Sequence, residues 1–352
     1  MQSLDNNTRL FLALVRAGLW EQDVRLLTYQ DIEWQEVYRL ATEQSVLGLV
    51  LAGLEHSDVK PPQVLLLQWI GEVQMIEQRN KAMNAFVSET IDILREQDIY
   101  ALLVKGQGIA QCYEKPLWRP SGDIDFFLSK DNYGKAVSFF KNRYSNYKDG
   151  GQYSQEYAFY TDQWMIEVHG SQRTCLSSRI DKVVDTVQKS VFYGGNVRSW
   201  DNNGTLVFLP APTEDVFLVF THFIKHFYKE GMSLRQLCDW CRLLWSYRES
   251  LNYDLLESWI NKAGLMKEWQ AFYNLASRYL GMPDLDSRLL VHDSRFDKKA
   301  EKLMEFILGG YSGNKIKDTL QIAKIFPWKA LRYSPSIFLN VNWLKIKDRL
   351  FK

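Results

Sequence analysis

Gly122-Asp123-Ile124-Asp125-Phe126-Phe127-Leu128 is the stretch on which the fold turns. Successive side chains of a strand point to opposite faces, so Asp123 and Asp125 share one face while Ile124, Phe126 and Leu128 share the other and anchor it in a core. Two carboxylates held close on one face repel unless a cation neutralises them, and hard oxygen donors at that spacing suit Mg²⁺. A solvated strand face is the blander reading of a bare Asp-x-Asp, so the flanks decide.

Upstream, residues 99–104 form an apolar strand candidate that runs into Lys105-Gly106-Gln107-Gly108 and then a brief helix over 109–114. Such a turn at a helix start offers free backbone N–H groups to phosphate. Downstream, a helix over 132–142 precedes two segments, 153–160 and 163–169, that read as an antiparallel hairpin around Thr161-Asp162. Glu167 and His169 share one face of its second strand. Glu167 thereby brings a third carboxylate to the pair. Residues 197–200 and 205–209 read as another hairpin across Asp201-Asn202-Asn203-Gly204.

Outside this middle part the period is helical. Over residues 1–98 apolar side chains recur three and four apart, and Pro61-Pro62 opens a long helix that ends near Gln97-Asp98. The helical period returns at Thr213, an N-cap candidate with Glu214 and Asp215 in the first turn, and continues to about residue 308 before an irregular tail. The expected class is α+β: a small mixed sheet flanked by an N-terminal helical region and a C-terminal helical domain. The expected divisions are 1–98 (helical), 99–210 (α/β core), 211–312 (helical) and 313–352 (basic aromatic tail).

The 352 residues suffice for about two domains. Hydrophobic residues at 46% and charged residues at 24% exclude a disordered or fibrous chain, and a formal charge of +1 gives no global field for nucleic acid. Only the tail is basic, with nine Lys/Arg against two Asp over 313–352. Its aromatic residues, Phe326, Trp328, Tyr333, Phe338, Trp343 and Phe351, suit either stacking on an RNA or packing on the body or a partner. Cys112, Cys175, Cys238 and Cys241 are too scattered for a disulfide framework and read as reduced, small buried hydrophobes. The longest apolar run, residues 46–54, is too short to span a bilayer, and a cytoplasmic location without a membrane span is expected.

Lys105-Gly106-x-x-Ile109-Ala110, Tyr113, Pro116, Arg119 and Gly122-Asp123-Ile124-Asp125 together resemble the signature of the uncharacterised nucleotidyltransferase family within the DNA polymerase beta-like nucleotidyltransferase superfamily. Ile166-Glu167-Val168-His169 is similar to that family's third-carboxylate strand, and residues 226–240 to its helical segment after the sheet. The resemblance implies a nucleotidyltransferase-type sheet, two divalent cations, and transfer of a nucleoside monophosphate from a nucleoside triphosphate, ATP foremost, to an acceptor hydroxyl with release of pyrophosphate. It implies Asp123, Asp125 and Glu167 as metal ligands and catalytic groups. It puts the Gly106–Gly108 turn, with Gln107 where the superfamily carries Ser or Gly, beneath the triphosphate.

Further nucleotide contacts are expected on the same basis. Lys105 would balance triphosphate charge, or stand in solvent at a strand end. Arg119 would contact phosphate or acceptor, or pair with a nearby carboxylate. His169 would orient a metal-bound group or serve as a structural histidine. Arg235 and Asp239, four apart on a helix, would form an ion pair or a wall for base or sugar. His222 and His226 have zinc-ligand spacing without a third ligand in sequence reach. The acceptor stays open among small molecule, RNA and protein. A catalytically silent nucleotide-binding or scaffold protein, and a protein-AMPylating or toxin–antitoxin component, are the alternatives. Replacing Asp123 or Asp125 by Ala or Asn is expected to abolish turnover and leave the thermal transition unchanged or raised.

Overall fold

A computed structural model describes residues 4–151, 153–285, 289 and 292–333. Four helices come first: α1 (Asn6–Trp20), α2 (Trp34–Glu43), α3 (Leu47–Glu55) and the 34-residue α4 (Gln63–Glu96). Asp5 starts α1 by accepting the Thr8 N–H, and Pro62 stands at the N-cap of α4 without a side-chain cap. The α/β part follows as β1 (Ala101–Val104), the single-turn α5 (Gly106–Ala110), β2 (Asp123–Leu128), α6 (Lys130–Arg143), β3 (Tyr147–Asp149), β4 (Glu156–Tyr160), β5 (Met165–His169), α7 (Ser178–Gly194) and the hairpin β6 (Val197–Asn202) to β7 (Thr205–Pro210). Seven helices complete the described chain: α8 (Pro212–Lys229), α9 (Leu234–Ser246), α10 (Tyr253–Ala263), α11 (Met266–Leu280), α12 (Asp297–Leu308), α13 (Lys315–Ala323) and α14 (Pro327–Tyr333).

The α+β class is observed. Five strands form one mixed sheet in the order β1-β2-β5-β4-β3, in which only β2 and β5 run parallel. One face of this sheet, built by Leu103, Ile124, Phe126, Leu128, Ile166 and Val168, packs on Met83, Val87 and Ile91 of α4 and on Ala136 and Phe140 of α6. On the other face, Leu102, Val104 and Phe127 join a larger core shared by α1–α3 and the helices from α7 onward. Trp20 of α1 meets Trp245 of α9 edge to face at 5.8 Å. The C-terminal helices therefore stand directly over the sheet face that carries Asp123 and Asp125.

Three local expectations need correction, and one strand was not foreseen. The short helix spans Gly106–Ala110 rather than 109–114, because Lys105 and Gly106, at φ +57° and +35°, turn the chain into it at once. Helix α8 starts at Pro212, a proline at N1, and the Thr213 hydroxyl instead accepts the Asn252 N–H at 2.9 Å. Strand β3 has three exposed residues and no apolar alternation to reveal it. The stretch after 312 is not wholly irregular, since it carries α13 and α14, with Ile322, Phe326 and Tyr333 buried and Trp328 exposed. Phe338, Trp343 and Phe351 lie outside the described residues.

All four cysteines are free, and Cys175 is exposed rather than buried. Among the described residues no helix is long and apolar enough to cross a membrane.

Candidate active site

The parallel register sets Asp125 beside Glu167 and Asp123 beside Met165. Because side chains alternate, Asp123, Asp125, Glu167 and His169 all rise from the same face of β2 and β5. Antiparallel pairing of β1 puts Val104 opposite Asp125, so the chain leaves the sheet at Lys105 just beside the acidic group. Lys105 takes φ +57° and ψ −145°, a region costly for a side chain with a Cβ, and the return is an ammonium turned back onto Asp125.

Asp125 is 3% exposed and His169 4%. Asp125 Oδ1 accepts hydrogen bonds from Lys105 Nζ and from His169 Nε2, both at 2.7 Å, and the same His169 nitrogen lies 3.2 Å from Glu167 Oε2. The ligand atoms of Asp125, Glu167 and His169 lie within 4.8 Å of one another.

The two aspartates titrate apart. Burial would push the Asp125 carboxyl up, but the Lys105 charge and the His169 hydrogen bond outweigh it and hold the group far below the usual carboxylate range. Asp123 has no side-chain hydrogen bond among the described residues, and the charge of Asp125, then burial, outweighs the pull of Lys105 and pushes it up to about 6. Burial opposes the charged form of Lys105, yet Asp125 and Glu167 hold it above its ordinary value. His169 is likewise raised: burial and Lys105 pull it down, and hydrogen bonds to Asp125 and Glu167 overcome them.

Above this acidic floor lies a pocket of about 250 Å³, walled by α8, α9 and the loop after β5. Arg119 spans the wall as a buried fork, Nε and Nη2 each donating to Asp239 at 2.7 Å, and Tyr113 donates its hydroxyl to the same carboxylate at 2.8 Å. Arg235 Nη1 donates to the Pro120 carbonyl at 2.6 Å, whereas its Nε is buried without a partner. Burial and the Arg119 charge hold the Arg235 guanidinium below its ordinary value. Gln172 Nε2 is a second buried donor without a partner. No hydrogen bond or ion pair joins the Lys225 ammonium to another described residue.

Of the residues singled out from sequence, Asp123, Asp125, Glu167, Lys105, Gly106, Arg119, His169, Arg235 and Asp239 all line this pocket. Gln107 and Gly108 do not. Gln107 is buried, donating to Asn80 at 3.2 Å and accepting from Ser121 at 3.3 Å, and Gly108 closes against the side chain of Leu209. The buried face of the one-turn helix thus withdraws both from the cavity. Arg119 takes the ion-pair option, its partner being Asp239 rather than any carboxylate near in sequence. Arg235 and Asp239 do not pair with each other.

Glu156, the loop 171–174, Lys225 and Glu230 also line the pocket and were not foreseen; His222 and His226 line it too. A signal for the α8 group exists. His222, Lys225 and His226 form a polar stripe at helical spacing on a helix otherwise buried from Val216 to Tyr228.

A family model described as uncharacterised nucleotidyltransferase matches residues 30–281, a span that contains the whole pocket. No curated protein and no solved structure matches the chain.

Proposed function

The chain belongs to the uncharacterised nucleotidyltransferase family, and on that footing we propose that it moves a nucleoside monophosphate from a nucleoside triphosphate, ATP in the first instance, to an acceptor hydroxyl with release of pyrophosphate. One observation carries this reading: Asp123, Asp125 and Glu167 rise from one sheet face into a pocket, where the ligand atoms of Asp125 and Glu167, with His169, lie within 4.8 Å of one another and Asp123 stands outside that group, while Arg235 Nε on the wall has no partner among the described residues. The donor set fits a hard divalent cation, because the repulsion that lifts Asp123 to about 6 is what such an ion relieves. Asp123, Asp125 and Glu167 would hold Mg²⁺, or Mn²⁺, with His169 hydrogen-bonded to the Asp125 carboxylate. Bound there, the cation supplies neutralisation of phosphate charge and favours the deprotonated form of the acceptor hydroxyl.

The remaining work falls to the chain's own groups. Lys225 and the free edge of Arg235 are donors for the triphosphate. Arg119 is already neutralised by Asp239, so it braces the wall and sets Pro120, to which Arg235 is tied. Burial of the floor keeps water from competing with these contacts.

A silent nucleotide-binding protein is the second reading, and Lys105 favours it, since its ammonium already occupies Asp125 Oδ1 at 2.7 Å. Melting the full chain with Mg²⁺ and each nucleoside triphosphate separates the two. A nucleotide at 100 times its dissociation constant stabilises by about 2.7 kcal/mol. Transfer predicts that shift together with pyrophosphate release, and the silent reading predicts the shift alone. No shift with any nucleotide defeats both. Labelled triphosphate in a lysate then shows whether small molecule, RNA or protein takes the label.

A further inference from the structure

His222, His226 and Glu230 recur every fourth residue along the end of α8, and all three line the pocket. His222 Nε2 lies 2.9 Å from His226 Nε2, and His226 Nδ1 lies 2.9 Å from Glu230 Oε2. Side-chain exposure rises from 24% at His226 to 47% at Glu230. A continuous hydrogen-bonded line thus runs from the pocket to solvent.

The protonation pattern of this line follows from its outer end. The hydrogen bond from His226 holds the Glu230 carboxyl down at about 2, so Glu230 is an ionised acceptor and His226 presents Nδ1–H to it. In neutral His226 the Nε2 lone pair must then accept, which makes His222 the donor through Nε2–H. His222 Nδ1 is left with its lone pair and has no hydrogen-bond partner among the described residues. Burial, then the charge of Lys105, hold His222 well below its ordinary value, so the ring is neutral in the resting pocket.

A zinc site does not account for the pair. Among the described residues the one cluster of metal-ligating groups is Asp125, Glu167 and His169, which excludes both rings, and the unpaired Lys225 ammonium stands between them in sequence.

We propose that His222, His226 and Glu230 form a proton relay that carries the acceptor's hydroxyl proton out of the pocket, with His222 Nδ1 as the receiving atom. This rests on the nucleotidyl-transfer reading. As the acceptor oxygen bonds to the α-phosphorus, the bond from that phosphorus to the bridging oxygen breaks and pyrophosphate leaves with its electron pair. The hydroxyl proton passes to His222 Nδ1, the proton on His222 Nε2 to His226 Nε2, and that on His226 Nδ1 to Glu230 and water. A neutral ring of weak basicity serves as a conduit because no charge has to rest on it.

Long-range ¹⁵N–¹H spectra of the metal-free full chain test the wiring without any turnover. They are expected to show His226 protonated at Nδ1 and bare at Nε2, with His222 protonated at Nε2. Protonation of neutral His222 at Nδ1 alone would overturn the relay. Pyrophosphate release from Mg²⁺-ATP is expected to fall by about 10²- to 10⁴-fold in His222→Ala, with KM unchanged and partial restoration by free imidazole. Glu230→Gln, at the solvent end, is expected to lose about tenfold. Loss in His222→Ala with raised KM and no imidazole rescue marks a structural histidine and sinks the relay. Wild-type turnover in His222→Ala alongside an inactive Asp123→Asn also sinks it, leaving the transfer reading intact. Turnover retained in Asp123→Asn sinks the transfer reading, while the tautomer spectra still judge the wiring.

Discussion

The acidic floor on β2 and β5 and the donor wall on α8 and α9 face each other across one pocket, and each is half satisfied. On the floor, Asp125 is engaged by Lys105 and His169 while Asp123 is left to its neighbour's repulsion. On the wall, Arg119 is engaged by Asp239 while, among the described residues, Lys225 has no hydrogen bond or ion pair and the Arg235 Nε has no partner. Groups with partners inside the protein hold the site's shape, and groups without them are available to a ligand. The split predicts that neighbouring residues of the same type respond in opposite ways to substitution.

The largest effect is expected at Asp125. Asp125→Asn strands a buried ammonium and histidine, and loss of one partner of such a pair costs about 3–5 kcal/mol. Urea unfolding of the metal-free chain measures it. The expectation from sequence that the thermal transition would hold or rise therefore does not apply here, because Lys105 already neutralises this carboxylate.

Asp123 should behave the other way. Its folded carboxyl titrates at about 6 against 3.8 for the free side chain, so between those values the native chain binds the extra proton and stability falls as pH rises. Asp123→Asn removes that loss. Without metal the variant is expected to exceed wild type by about 1–3 kcal/mol above pH 7 and to match it below about pH 4. Parallel melting profiles across that range would break the contrast between the two aspartates.

On the wall, Lys225→Met is expected to weaken Mg²⁺-ATP binding by about tenfold, near 1.4 kcal/mol, with little change in stability. Calorimetric titration beside a melt distinguishes this from Arg119→Met, which leaves Asp239 buried and unpaired and acts on stability first. The smallest effect is expected at Gly108→Ala. The added methyl meets the end of the Leu209 side chain at 2.6 Å and costs about 1 kcal/mol, with nucleotide binding unchanged because Gly108 faces away from the pocket. Weakened nucleotide binding there would return Gly108 to the phosphate site.

The two faces also differ in how far the sequence disclosed them. Asp123 and Asp125 are two apart on one strand, where the period of the backbone alone sets their common face, and Glu167 and His169 obey the same rule on the next. The parallel register that joins them needed only the apolar residues of the opposite face to be buried together. The wall obeys no local rule. Arg119 meets Asp239 across 120 positions, and Lys225 reaches the cavity because α8 packs over the sheet. Gly106, Gln107 and Gly108 read as one glycine-rich turn, yet a helix of one turn points only the first into the pocket.

Manganese binding, followed by the loss of the free-ion paramagnetic resonance signal, tests most directly that the three carboxylates act as one cation site. The full wild-type chain is predicted to bind Mn²⁺, more tightly with ATP present, and Asp123→Asn and Glu167→Gln each to weaken that binding about tenfold or more. Identical titrations for wild type and both variants, or no binding by any of them, would contradict the account.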